Sequence, residues 1–269
     1  MVATDKEFAG SIPEIYDRLL VPLIFEPYAA DLAERVAARQ PREVLEIAAG
    51  TGALTRALAS RLPPNAHVVA TDLNPPMLEQ AARRLQDPRI EWSQADAMVL
   101  PFEDQRFEAV ACQFGAMFFP DKGQAYREAY RVLKPGGRLF LSVWDALEVN
   151  EIADVVTRAL AEVFPDDPPR FLARTPHGYH DKVQISAELR AAGFVDVSVE
   201  VVEARSRAPS PRGPAVAFCQ GTPLRNEIEA RDPSGLEAAT QRAGDALAKR
   251  FGSGPIDGRI QALVFTAIR

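Results

Sequence analysis

The segment VLEIAAGTGALTRALA, Val44 to Ala59, concentrates residues suited to holding a ligand. An apolar run (Val44, Leu45, Ile47) encloses the acidic Glu46 and ends in the turn Ala48-Ala49-Gly50-Thr51-Gly52. Leu54, Leu58 and Leu62 then recur every four residues, so the pattern is strand, turn, helix. Gly50 and Gly52 lack a Cβ, which lets a nucleotide-like ligand lie against the turn, and the first amides of the following helix point into that space. Twenty residues after Gly52, Asp72 closes a second strand-like run, HVVATD. A carboxylate at that place can accept hydrogen bonds from both hydroxyls of a ribose. A Gly-x-Gly also suits a tight turn on steric grounds alone, and Asp72 is what turns the pattern toward a ligand. A dinucleotide fingerprint would place a third glycine where Thr55 stands, which argues against NAD.

The elements that must position these residues alternate along the chain. Strand-like runs fall at 43–47, 66–71, 90–94, 107–112 and 138–144, and helix-like runs at 53–61, 75–86 and 121–133. Asn74 reads as an N-cap with Pro75 and Pro76 in the first turn, and Lys134-Pro135-Gly136-Gly137 reads as a stop and turn. Such alternation predicts an α/β fold with a doubly wound, mostly parallel sheet. Ahead of it, residues 12–39 read as two short helices interrupted at Pro22 and Pro27. Beyond it, a helix at 150–163 precedes the proline-rich FPDDPPRFLARTPHGYHDK, too long for an ordinary connection. A helix at 183–192 and a strand at 194–203 resume the alternation. Residues 205–257 then hold a loop, RSRAPSPRGP, and two helices near 213–231 and 234–251, before a last strand at 259–268. The domain reading is a helical cap over 1–39 and an α/β domain over 40–269 with insertions at 147–182 and 205–257.

Composition narrows the class of function. Hydrophobic residues make up 47% and charged residues 25% of the 269, as in a globular protein, and the net charge is −6. That balance speaks against a broad nucleic-acid-binding face. Cys112 and Cys219 supply neither a disulfide framework nor a metal cluster, and no metal is expected. The first ten residues lack the apolar core of a signal peptide, and no apolar run reaches the roughly 18 residues of a membrane helix. A cytoplasmic enzyme without membrane insertion fits these features. The sequence does not fix the oligomeric state, and a homodimer is compatible with it.

Glu46, Ala48, Gly50 and Gly52 together resemble motif I of the class I S-adenosylmethionine (SAM)-dependent methyltransferases, in which an acidic residue precedes Gly-x-Gly-x-Gly. Ala48 departs from the pattern, and its methyl group narrows the pocket slightly. The resemblance implies a seven-stranded sheet in the order 3-2-1-4-5-7-6 with the seventh strand antiparallel. The insertions after strands 5 and 6 are similar to the helical lid elements of quinone- and sterol-biosynthesis methyltransferases. It also implies SAM as cofactor, S-adenosylhomocysteine (SAH) as product, and a small-molecule acceptor as partner. The 48–53 turn, Thr51 included, would meet the carboxylate of SAM, and main-chain carbonyls near Ala48 or Gln113 would meet its ammonium. Glu46 would brace the loop or bind through water. Asp72 would take the ribose, Leu73 and Met77 would pack on the adenine, and Asp96 and Ala97 in QADA would meet its amino group. Gln113 and Phe114 sit at the edge of the sheet where ligands of open α/β sheets bind. Asp96 as a helix cap and Phe114 as core are the plainer alternatives.

Methyl transfer needs alignment and water exclusion more than a fixed triad, and none is present. His177, His180 and Tyr16 are the weak candidates for a base or a capping group, and a solvated loop is the plainer reading of TPHGYH. His67 has no evident role. QFGAMFFP after the fourth strand is apolar, with Phe118 and Phe119 as lining or core, which suits O- or C-methylation of a small, largely apolar metabolite better than N-methylation. A non-catalytic SAM-binding scaffold or regulator and an NAD-dependent oxidoreductase are the alternatives.

Overall fold

The computed structural model describes Asp5, Phe8 and residues 10–269. The reading of the first ten residues falls mostly outside them. The chain begins with α1 (Ile12–Ile15), a π-helix (Tyr16–Phe25) and α2 (Glu26–Ala37) in direct succession. Two helices broken at Pro22 and Pro27 were expected, and the break is absent. Pro22 lies inside the π-helix and Pro27 in the first turn of α2, and the helical run continues through both.

Five strands follow: β1 (Glu43–Ile47), β2 (His67–Asp72), β3 (Ile90–Gln94), β4 (Phe107–Gln113) and β5 (Leu133–Trp144). Between them run α3 (Ala53–Arg61), α4 (Pro75–Arg84) and α5 (Lys122–Val132). Then come α6 (Glu151–Val163), α7 (Phe171–Arg174), α8 (Lys182–Ala191), β6 (Val195–Ala208), α9 (Arg212–Gln220), α10 (Leu224–Arg231), α11 (Leu236–Phe251) and β7 (Ile256–Ile268). The sheet order is β3-β2-β1-β4-β5-β7-β6, with β1 to β5 parallel and β7 antiparallel to β5. This is the order the resemblance implies. β1, β2 and β4 are almost wholly buried along their length, as apolar strands covered on both faces must be.

Three local expectations are corrected. Lys134 to Gly137 do not leave the sheet: β5 already pairs at Leu133 with Phe107, and the register jumps so that Ala109 next meets Arg138. Gly136, at φ +79°, absorbs the extra residues as a bulge. The first residues of RSRAPSPRGP extend β6 to Ala208 instead of forming a loop. The helix read over 213–231 is two, α9 and α10. They part at Gly221-Thr222-Pro223, where a Cβ on Gly221 would sit 2.7 Å from the Ala217 carbonyl oxygen and 2.9 Å from Ile15.

The chain forms two compact units. One comprises residues 1–25, 145–179 and 203–261. Within it α11 packs on α6 and α9, and the π-helix on α9. Asp5, Arg174 and Glu227 form an ion-paired cluster there, with the Thr175 hydroxyl donating to Asp5. The other unit comprises residues 26–144, 180–202 and 262–269. Its core joins α2 (Leu32, Ala33, Val36) and α3 (Leu54, Leu58) to the inner residues Val44, Val68, Ala109, Phe140 and Val264. Leu58 is fully buried at the α3–sheet contact, so Leu58→Ala is expected to lower stability by about 2–5 kcal/mol, read as a shifted urea midpoint at unchanged slope.

Candidate active site

β1 delivers the chain into the turn with Ala48 at φ +57°, Gly50 at +56° and Gly52 at +80°. The turn is tied by Ala49 N donating to Thr71 O (2.8 Å) and Gly52 N to Ala49 O (2.9 Å). Ala48 holds a left-handed conformation that costs a non-glycine residue about 1–2 kcal/mol. Its methyl group is accommodated by Gly115, just past β4: a Cβ built there would lie 2.4 Å from Ala48 Cβ. The two positions are therefore complementary, and the methyl group packs on the end of β4. Gly52 is glycine for packing as well, since a Cβ would meet Trp92 at 2.9 Å and Ala81 at 3.2 Å. Gly50 has more room, with Met77 Cε at 3.6 Å from such an atom.

Two buried carboxyl groups flank the turn. Glu46 is 1% exposed, and its Oε2 accepts from Thr55 Oγ1 at 2.6 Å, tying β1 to α3. Thr55, at the place of the absent third glycine, is thus the partner of the acidic residue. Burial pushes the Glu46 carboxyl up to about 8; the Thr55 hydroxyl and the Arg56 charge oppose this, and Asp72 adds to it. Asp72 Oδ2 accepts from Gly50 N (2.9 Å), and Oδ1 from Asn74 N (2.8 Å) and Asn74 Nδ2 (3.3 Å). Burial raises its pKa, and these amides hold the charged form against it. Asn74 stands at the N-cap of α4 with Pro75 and Pro76 in the first turn, as read, but its side chain goes to Asp72 and makes no cap bond to the helix. In the turn itself, Thr51 Oγ1 is buried without a hydrogen-bond partner among the described residues, while Thr51 O accepts from Arg56 Nη1 (2.7 Å).

The remaining residues expected at the cofactor divide by exposure. Leu73 is 43% exposed beside Asp72, whereas Met77 is 3% exposed and lies under Gly50. Asp96 Oδ1 accepts from Met98 N (2.9 Å) and pairs as a bridge with Val99; it caps a turn, since no helix starts there, and Ala97 is buried. Gln113 ends β4, half-buried. Phe114, at φ +54°, stacks on Trp144 with centroids 3.9 Å apart, and Tyr28 sits edge-on to both rings. Its ring is core, and the sequence reading singled out neither Tyr28 nor Trp144. Phe118 and Phe119 are half-buried.

All of these residues belong to the unit holding 26–144. His177 and Tyr16 lie in the other unit, and His180 is exposed. The solvated-loop reading is overturned for His177, which is 6% exposed with Nδ1 2.8 Å from Asp145 O. A carbonyl only accepts, so Nδ1 carries a proton. Tyr16 is half-buried between Phe8 and Phe25. His67 lies between Glu43 (3.6 Å) and Glu91 (3.8 Å) at the start of the strands. Among the described residues, no group of three potential ligands is arranged to hold a metal, and no helix is long and apolar enough to cross a membrane.

Two outcomes follow from this geometry. Gly115→Ala forces a methyl group onto Ala48 and against Cys112 Sγ and is expected to destabilise by roughly 1–3 kcal/mol, and the double variant with Ala48→Gly should recover part of the loss, the contact with Cys112 remaining. Glu46 binds its proton more tightly folded than unfolded, so its contribution is full below its ordinary value of 4.5 and is lost as pH rises toward about 8. Glu46→Gln should therefore flatten the fall in stability between these limits, removing up to about 1.4 kcal/mol per pH unit in urea titrations.

A family model described as "Methyltransferase domain" matches residues 44–137. Demethylmenaquinone methyltransferase of Clavibacter sepedonicus is 36% identical over 164 residues, covering 57% of this chain and 66% of the relative, slightly less than two thirds of its length. Ubiquinone/menaquinone biosynthesis C-methyltransferase UbiE of Escherichia coli is 31% identical over 172 residues, covering 59% of this chain and 68% of the relative. Among solved structures, phosphoethanolamine N-methyltransferase 2 of Haemonchus contortus, in complex with S-adenosyl-L-methionine, superposes with a TM-score of 0.62 at 17% identity. That match covers all of this chain and 60% of the other, and shows the fold alone. The glycine turn, the acidic residue before it, the sheet order and these relatives agree, and the chain belongs to the class I SAM-dependent methyltransferases.

Proposed function

We propose that this protein transfers the methyl group of SAM to a carbon or hydroxyl oxygen of a small, largely apolar acceptor with a quinol-type ring. The observation that carries the reading is Asp72, its carboxylate fixed by the Gly50 and Asn74 amides, beside the buried and unpartnered Thr51 hydroxyl. The donor set fits the cofactor. Asp72 retains lone pairs for the ribose hydroxyls, and the exposed Leu73 offers a face to the adenine. Asp96 and the Ala97 amide suit the adenine edge, and Thr51 with the amides opening α3 suits the amino-acid carboxylate. Glu46 acts by bracing the turn through Thr55. Gln113 and the backbone of Phe114 close the edge at β4. Bound SAM supplies an electrophilic methyl group on a cationic sulfur, and the protein aligns the acceptor and excludes water.

A quinol-type acceptor is supported by the two relatives, whose names assign them to demethylmenaquinone and to ubiquinone/menaquinone biosynthesis, and by the apolar QFGAMFFP segment. The reading includes a cytoplasmic location and a small-molecule partner, with no nucleic acid, consistent with the net charge of −6.

Calorimetric titration with SAH should show one saturable site, and Asp72→Ala should weaken it by about tenfold or more through lost charge-assisted hydrogen bonds. Labelled methyl transfer from SAM to prenylated naphthoquinols and benzoquinols should then appear in wild type. Unchanged SAH affinity in Asp72→Ala would remove Asp72 from the site. SAH binding without turnover on any quinol, phenol or fatty-acid acceptor would replace catalysis by a binding role.

A further inference from the structure

At the amino ends of β1, β4 and β5, away from the carboxyl ends that form the candidate active site, lies a second concave site of about 260 Å³. Its charged lining consists of Arg39, Glu108, Lys134 and Arg138. Glu108 is already spoken for: its Oε2 accepts from Arg42 N (2.6 Å) and its Oε1 from Lys134 Nζ (3.1 Å), which together hold its pKa below the ordinary range. Lys134 and Glu108 neutralise one another. The guanidinium groups of Arg39 and Arg138 have no acceptor among the described residues. The pocket thus holds three cations against one anion in a chain whose net charge is −6.

The backbone of this site is built by the β5 bulge. Gly136 N donates to Arg269 O and Arg269 N to Gly137 O, both at 3.0 Å, so the turn is pinned in the sheet. Gly136 has open space around its Cβ position, whereas a Cβ on Gly137 would lie 2.8 Å from Lys134 O. Two planar guanidinium forks with unspent donors match a tetrahedral oxyanion carrying two negative charges. The volume is slightly below the roughly 300–1,000 Å³ of pockets for drug-sized ligands, so the occupant is small. Pro41, Pro135 and the ring of Phe140 add apolar wall.

We propose that Arg39 and Arg138 form an anion site at the amino edge of the sheet, which takes a phosphoryl dianion, either inorganic phosphate or a small phosphate monoester. The site is separate from the methyltransferase chemistry, and nothing in it depends on the acceptor.

The test is calorimetric titration of the full chain, at low and constant ionic strength, with inorganic phosphate, phenyl phosphate and, as control, chloride. Saturable one-to-one binding of a phosphate is expected in wild type. It should weaken about tenfold or more in Arg39→Gln/Arg138→Gln, with unchanged circular dichroism and thermal midpoint. Tighter binding of phenyl phosphate than of inorganic phosphate would identify a monoester as the occupant, and the reverse would identify free phosphate. No saturable binding, equal binding in the folded double variant, or equal competition by chloride would overturn the proposal.

Discussion

The amide of Gly50 donates to Asp72 Oδ2, and the candidate active site is organised around that bond. It joins the turn after β1 to the tip of β2. The same carboxylate, through its other oxygen, fixes the start of α4 at Asn74. A charge so placed is buried, and burial alone would drive it to take a proton. Backbone amides oppose that tendency without reversing it: burial still raises the Asp72 pKa, and the Asn74 and Gly50 N–H groups fix the direction of the carboxyl group. Glu46 is shifted the same way by burial, to about 8, and is held by a single hydroxyl partner. The two acidic residues thus differ in what orients them, amides for Asp72 and the Thr55 hydroxyl for Glu46.

The turn is defined as much by what packs behind it as by what lies in front. Gly52 is closed off by Trp92 and Ala81, and Ala48 by Gly115. Only Gly50, with its amide on Asp72, combines a positive φ with room for another group. Residues that look equivalent in a Gly-x-Gly pattern thus differ in what they do for the fold: Gly50 gives its amide to Asp72, and Gly52 leaves room for the Trp92 ring.

The strands and the acidic positions were legible because parallel strands are short apolar runs with sharp ends, with Asp72 at the end of one and Asp96 just past another, whereas the strand order came from the family resemblance. What the sequence concealed was of three kinds. Proline at 22 usually ends an α-helix, and the π-helix that accommodates it has no sequence signature of its own. Lys134 to Gly137 carry the residues of a turn, yet pairing partners on β4 keep them in the sheet as a bulge, a tertiary effect invisible to local propensity. His177 was misjudged because burial is set by distant partners, here the Asp145 carbonyl that accepts from its Nδ1, whereas Phe114 meets the plainer of its two readings, core packing against Trp144 and Tyr28.

The place of β7 in the sheet has a consequence for how the molecule is made. Residues 262–268 supply the strand between β5 and β6, pairing Ala262 with Trp144 through Ile268 with Arg138. A nascent chain halted before residue 262 holds five parallel strands but leaves the long apolar flank of β5 with its amides and carbonyls unmatched, and β6 has nothing to join. Such an open edge is a template for pairing with other chains. Closure must therefore wait on the ribosome for a segment more than a hundred residues downstream of its partner. The vulnerable interval in the life of this protein is its synthesis, and the strand most exposed to aggregation then is one that is wholly interior once folding is complete.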